Sequence, residues 1–286
     1  MMVAGARIPL DRFEVLSEGL DHPEGICCTP DGTVYVGGEA GQLYRIEADG
    51  TATELLRTDG FLLGLAADGE GRIYAIDAVN RCVWQIDPLT AARTVFADGF
   101  AVPNWGAFAA DGTYYLSDSG GWGDRDGLLW RIPPGGLPEV WTRATPNVPN
   151  GLALAADGKR LFLLESFPGA IVEIAIEADG SAGERVVLCE LGEIVPDGVA
   201  VTVDGSLYIA CYRPDAIYRW HPQEGLELVA ADPRGQILAA PTNIAFAGPE
   251  RDELLVPSIG RWHVARVRAG VQGIPLHYPT KAQLGR

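Results

Sequence analysis

Six short segments of the chain share one local setting. They are His22-Pro23-Glu24-Gly25, Leu63-Gly64-Leu65, Pro103-Asn104-Trp105, Pro149-Asn150-Gly151, Pro196-Asp197-Gly198 and Pro241-Thr242-Asn243. The equivalent positions are Glu24, Leu63, Asn104, Asn150, Asp197 and Thr242, and five of these six are polar. Glu24, Asn104, Asn150 and Asp197 carry a side-chain carbonyl or carboxylate oxygen. One Pro-Asn-Gly is an ordinary turn, because Asn and Asp cap turns. Four oxygen-bearing residues in one column of a repeat ask for a chemical reason. Two carboxylates and two amides that converge repel one another unless a cation sits between them. Ca2+ takes such oxygens readily. The column contains no His or Cys, which disfavours copper and makes Zn2+ less suited, while Mg2+, Mn2+ and Fe2+ remain alternatives.

Converging the column requires a repeating architecture, and the chain supplies one. Each unit reads as a turn residue, an apolar run, a hairpin turn and a second apolar run; in the first unit these are Ile26, Asp31-Gly32 and Val34-Tyr35-Val36. The column positions recur at intervals of 39, 41, 46, 47 and 45 residues. Repeats of about 40–50 residues built from strands fit propeller blades. Two more strands follow in each unit, such as 41–46 and 53–56 in the first. The spacing therefore predicts an all-β, six-bladed β-propeller with four strands per blade, as one domain over residues 1–286. The segment 13–19 has the register of a fourth strand. It is expected to close the last blade and remove two free edges.

In such a fold the first strand of each blade lines the central channel, and the column residue sits at one mouth. Second strands return to that mouth, so Glu39, Asp77, Asp118, Glu165, Tyr212 and Ser258 are expected on its rim, with Asp118 and Glu165 as solvated carboxylates. His22 is expected as a rim or packing residue, and His221, His263 and His277 as structural ones. The longest connection, 117–127, holds Trp122 among glycines and either covers the substrate or fills space.

Composition narrows the function classes. The 286 residues include 36 Gly and 20 Pro, as expected of a globular protein rich in turns. With 22 Lys and Arg against 38 Asp and Glu the net charge is −16, which gives no electrostatic reason to bind nucleic acid or an anionic membrane. No apolar run approaches the roughly 18 residues of a membrane span. The five cysteines (27, 28, 82, 189, 211) form no CxxC and read as free thiols of a reducing cytoplasm. No GxSxG, HExxH, Walker loop or GxGxxG occurs. The partner expected is a small molecule, with no protein partner indicated.

The segments around Glu24, Asn150 and Asp197 resemble the blade starts of the senescence marker protein/gluconolactonase (regucalcin-like) family of metal-dependent six-bladed propellers. The resemblance implies that Glu24, Asn150 and Asp197 bind one divalent cation and that Asn104 contacts metal or substrate. It implies a hydrolase that opens a sugar lactone or related cyclic ester. A cation polarises a lactone carbonyl and stabilises its oxyanion. Asp197 is then expected as general base, with Asn104 orienting substrate or water, and Asp118 and Glu165 as reserve bases. The chain lacks the Arg and Glu with which sugar-lactonase members hold hydroxyls, and the 117–127 loop stands in their place. The alternatives are another reaction class on the same fold (strictosidine synthase-like, lyase or isomerase) and a non-catalytic binding propeller with a structural metal.

Overall fold

The structure, a computed structural model, describes residues 7–121 and 123–285. A closing strand, β1 (Glu14–Glu18), precedes the first blade of β2 (Ile26–Cys28), β3 (Val34–Gly37), β4 (Gln42–Ile46) and β5 (Ala52–Arg57). The second blade holds β6 (Leu62–Ala67), β7 (Ile73–Asp77), β8 (Cys82–Ile86) and β9 (Arg93–Asp98). The third holds β10 (Pro103–Phe108), β11 (Tyr114–Asp118), β12 (Leu128–Ile132) and β13 (Glu139–Thr142). The fourth holds β14 (Pro149–Leu154), β15 (Arg160–Ser166), β16 (Gly169–Ile176) and β17 (Ala182–Gly192). The fifth holds β18 (Val195–Val201), β19 (Leu207–Arg213), β20 (Ala216–His221) and β21 (Gly225–Ala231), and the sixth β22 (Ala245–Ala247), β23 (Glu253–Ser258) and β24 (His263–Arg268). Each group is its own antiparallel four-stranded sheet, and the last sheet runs β1-β24-β23-β22. This is the expected six-bladed propeller.

Position within a blade dictates sequence character. Second strands are covered on both faces by neighbouring blades, so β7 and β11 are buried at every residue. Fourth strands face solvent, and none of β5 is buried. Between the second and third blades, Tyr74 and Phe108 meet edge to face at 4.8 Å between ring centroids, an arrangement favoured by the ring quadrupoles.

Closure follows the expected register. β1 pairs antiparallel with β24, Glu14 opposite Arg266 and Glu18 opposite His263. The Glu14 carboxylate and Arg266 guanidinium meet at 3.1 Å across the seam. At the opposite end from the column, the C-terminal tail crosses the hairpin turns. It donates Ile274 N–H to the Val201 carbonyl and Tyr278 O–H to the Cys28 carbonyl, both within 3.0 Å.

One turn differs from its expected form. In blades one, three, four and five the glycine of Asp-Gly has positive φ (Gly32, Gly112, Gly158, Gly205), but in the second blade it is Gly71, not Gly69. There Asp68 opens the turn, and its carboxylate is buried against Arg72 and Tyr74. All five cysteines are free, four of them buried. Among the described residues no helix is long and apolar enough to cross a membrane.

Candidate metal and active centre

The ladder between first and second strands breaks where the column residues stand. Register is lost between Leu62 and Leu65, Pro103 and Trp105, Pro149 and Leu152, and Pro196 and Val199. Leu63, Asn104, Asn150 and Asp197 lie inside these four irregularities, and bulges re-aim side chains in this way. Two residues before three of the column positions, a non-glycine residue takes positive φ: His22 (40°), Val148 (55°) and Ala240 (48°). For a β-branched residue such as Val148 this is a true outlier, of the kind that surrounding structure must hold in place.

The glycine after the column residue has a packing reason and not a turn reason. A Cβ on Gly64 would stand 2.8 Å from the Asn104 carbonyl oxygen, and one on Gly198 would stand 2.8 Å from that of Thr242. Gly25 and Gly151 are pressed still harder against the carbonyls of Leu63 and Asp197. Blades one, two, four and five thus each rest a glycine on the next blade's column residue, which draws the column into a ring. The third and sixth blades carry Trp105 and Asn243 at that position. The Trp105 indole reaches across to 2.9 Å from the position a Gly198 Cβ would take. Trp105 therefore reaches past the fourth blade to the fifth, just below the column. Beneath it lies an axial cavity of about 720 Å³, lined at its far end by residues 273–278.

Four of the column residues face one another. Glu24, Asn150, Asp197 and Thr242 are all buried. Glu24 Oε2, Asn150 Oδ1 and Thr242 Oγ1 are buried without a hydrogen-bond partner. Burial lifts the Glu24 carboxyl to about 7 from an ordinary 4.5, with the Glu39 charge adding and the nearby Thr242 hydroxyl opposing. Burial, and then the Glu24 charge, push Asp197 well above the carboxylate range, and the Asn150 amide works against them. Buried acceptors without donors are costly. A cation that accepts lone pairs from all of them is the remedy, so the donor set fits a hard divalent ion. Asn104 enters at the same level from β10, half-buried.

Serines hold the ring in place. Asn150 donates Nδ2–H to Ser166 Oγ at 3.3 Å, and Ser166 donates onward to the Pro196 carbonyl at 2.7 Å. Ser117 bridges blades three and four, accepting from Trp105 N–H at 3.0 Å and donating to the Asn150 carbonyl at 2.7 Å. Ser119 donates to the Pro149 carbonyl at 2.8 Å. The sequence signal available for these was a serine at the same second-strand end in two consecutive blades, Ser119 and Ser166.

The rim expectation needs correction at several positions. Asp118 and Glu165 are not solvated: their exposures are 2% and 0%. Asp118 accepts from Ala101 N–H, Val102 N–H and Trp130 Nε1–H within 3.0 Å. Glu165 accepts from Asn147 Nδ2–H at 2.8 Å and from Arg185 at 2.6 Å. Asp77 does the same for Phe61 N–H and Trp84 Nε1–H. These carboxylates clamp the connections that lead into the column, which is why they fold under it. Ser258 is likewise buried, donating to the Ile237 carbonyl. Glu39 and Tyr212 are exposed, as expected. His22 is half-buried, its Nδ1 2.8 Å from Asp21 and 3.0 Å from Glu39, its ring 4.8 Å from that of Trp262. Trp122 lies outside the described residues.

Residues 9–46, which contain Glu24, match a family described as strictosidine synthase-like, N-terminal. The chain is 27% identical over 237 residues to a gluconolactonase of Zymomonas mobilis, an alignment covering 73% of this chain and 64% of that protein. It is 27% identical over 119 residues to a regucalcin of Xenopus laevis, covering 39% of this chain and 38% of the relative. The matches therefore span about two-thirds or less of these relatives' own lengths. The solved structure of a regucalcin from Agrobacterium tumefaciens, described as a calcium-binding protein, superposes with a TM-score of 0.80 at 16% identity, covering 96% of this chain and 99% of that one. That likeness concerns the fold. The family described as SMP-30/Gluconolactonase/LRE-like region matches residues 39–260, a span that includes Asn104, Asn150 and Asp197 and most of the propeller, and the chain belongs to it.

Proposed function

We propose that the protein is a divalent-cation-dependent hydrolase that opens a lactone at the column mouth. The observation that carries this is the set of buried, donorless oxygens of Glu24, Asn150 and Thr242 beside two carboxyls raised by burial. Membership of the family and the similarity to a gluconolactonase support the reaction class. Glu24, Asn150 and Asp197 hold the ion, with Asn104 beside them. Ca2+ suits the all-oxygen set best, and similarity to a calcium-binding propeller supports that choice. When bound, the cation acts as a Lewis acid on the lactone carbonyl and its developing oxyanion.

The protein's own groups do the rest. Asp197 takes a proton from the attacking water as the oxygen–carbon bond forms. It returns that proton to the ring oxygen as the acyl–oxygen bond breaks, giving the hydroxy acid. Asn104 orients the substrate or the water. Trp105 lines the cavity beneath the column. The free, buried thiols support a reducing, cytoplasmic location.

The test is acid release from a lactone panel with a pH indicator, with and without chelator. Hydrolysis that stops with chelator and returns with Ca2+ supports the reading. A folded protein that opens no lactone in the presence of any divalent cation overturns it.

A further inference from the structure

Among the described residues Phe167, Tyr212 and Trp262 are the large aromatic side chains that stand exposed, at 47%, 38% and 49%. All three stand on the rim of the column mouth. They occupy the connection between second and third strands in three consecutive blades: β15–β16, the end of β19, and the turn before β24. Those second-strand ends pair with the column starts, Glu165 with Pro149, Cys211 with Pro196 and Ser258 with Pro241.

Each ring is also next to a residue that touches or belongs to a column segment. Phe167 follows Ser166, which takes the Asn150 amide. Tyr212 follows Cys211, which pairs with Pro196, the residue before Asp197. Trp262 packs on His22, two residues from Glu24. Exposed aromatic surface is normally scattered or buried, and its concentration at one mouth marks a binding surface.

The polar groups beneath this arc are already committed. Ser166 and Ser258 donate to the Pro196 and Ile237 carbonyls. Arg213 lies 4.6 Å over the Tyr212 ring and bonds to Asp215. The same connections in blades one to three carry Glu39, Asn80, Asp124 and Asp126, with Val79 and Trp122 as their large apolar residues. The net charge of −16 disfavours anionic substrates.

We infer that the substrate is a neutral lactone carrying an aromatic or alkyl face, which lies against Phe167, Tyr212 and Trp262, and is not a polyhydroxylated sugar lactone. This rests on the lactone-hydrolase reading above and sharpens its substrate class.

The experiment compares dihydrocoumarin with glucono-δ-lactone as substrates. In parallel it compares binding of their non-hydrolysable ether counterparts, chroman and 1,5-anhydroglucitol, by calorimetry on the Ca2+-loaded protein. The expected kcat/KM favours dihydrocoumarin by about tenfold or more, and chroman binds more tightly than anhydroglucitol. Tyr212→Ala and Trp262→Ala each lower that preference at least tenfold, chiefly through KM. Tyr212→Phe, which keeps the ring, retains it. Leu137→Ala, 84% exposed and away from the mouth, changes neither substrate. A preference for glucono-δ-lactone that survives Tyr212→Ala and Trp262→Ala overturns this inference and leaves the hydrolase reading intact. If no lactone is opened, the hydrolase reading falls. The ethers then decide on the rim alone, with tighter anhydroglucitol binding, or equal binding by Tyr212→Ala and wild type, counting against it.

Discussion

The Asn150 amide nitrogen stands 3.3 Å from the Ser166 hydroxyl, and this bond decides where the other half of the amide points. With its nitrogen on Ser166, Asn150 leaves Oδ1 buried and without a donor. The serine donates onward to the Pro196 carbonyl, in the residue before Asp197. One hydroxyl thus orients two proposed cation ligands from adjacent blades.

Ser166→Ala should therefore weaken cation binding without removing a ligand. Loss of a group that orients a ligand typically costs about 10–100-fold in metal affinity. The unfolding free energy should drop by about 1–3 kcal/mol, since a buried amide donor and the Pro196 carbonyl lose their partner. Calorimetric Ca2+ titration and thermal melting measure the two effects. Unchanged affinity would show that the amide orients itself.

Gly151→Ala tests the ring contact between blades. Its Cβ would collide with the Asp197 backbone carbonyl. Overpacking of this kind costs about 1–3 kcal/mol, and the shift it forces falls on Asp197. Melting temperature and Ca2+ affinity should fall together. Alanine tolerated with both unchanged would mean that the blades have slack at the axis.

In metal-free protein, Glu24→Gln should be more stable than wild type at pH 8. The folded carboxyl is raised to about 7 from 4.5. Its contribution is then fully present below about pH 4.5 and is lost as pH rises through about 7. A glutamine keeps the shape without the charge. Near pH 5 the two proteins should melt alike, and by pH 8 the variant should lead by about 2–4 kcal/mol. Saturating Ca2+ should reverse the order, because the ion needs the carboxylate. Denaturant melts with chelator, compared with melts at saturating Ca2+, read this directly. Wild type leading at pH 8 with chelator would refute the burial of an uncompensated charge.

Removing residues 1–18 should expose the edge of β24, whose partner is β1. The melting midpoint should fall by about 10 °C or more, a loss of several kcal/mol for a chain of this size, and aggregation should rise. An unchanged midpoint would mean that the seam carries little of the stability.

The fold was legible because a repeat states itself six times, and the closing strand because 13–19 stands before Glu24 as the fourth strand of blade one stands before Leu63. The column was legible for the same reason. What the sequence hid were relations between blades. Ser166 acts on the next blade's Pro196, and Trp105 reaches from the third blade to the fifth. The glycines of Pro-Asn-Gly and Pro-Asp-Gly look like turn residues until the neighbouring carbonyl is in place. Asp118 and Glu165 read as rim charges because nothing local announces the backbone amides and the Arg185 guanidinium that bury them. Phe167, Tyr212 and Trp262 lie 45 and 50 residues apart in the sequence, and only the ring of blades gathers them.

The most direct test of the account is the rate of lactone hydrolysis by Asp197→Asn at saturating Ca2+. The substitution weakens the ion site, which excess Ca2+ restores, and removes the group that moves the proton, which Ca2+ does not restore. General-base help is worth about 10²–10⁴ in rate. The folded, Ca2+-loaded variant is expected to be slower than wild type by a factor in that range. A variant returned to near wild-type rate by excess Ca2+ would contradict it and remove Asp197 from the role of base.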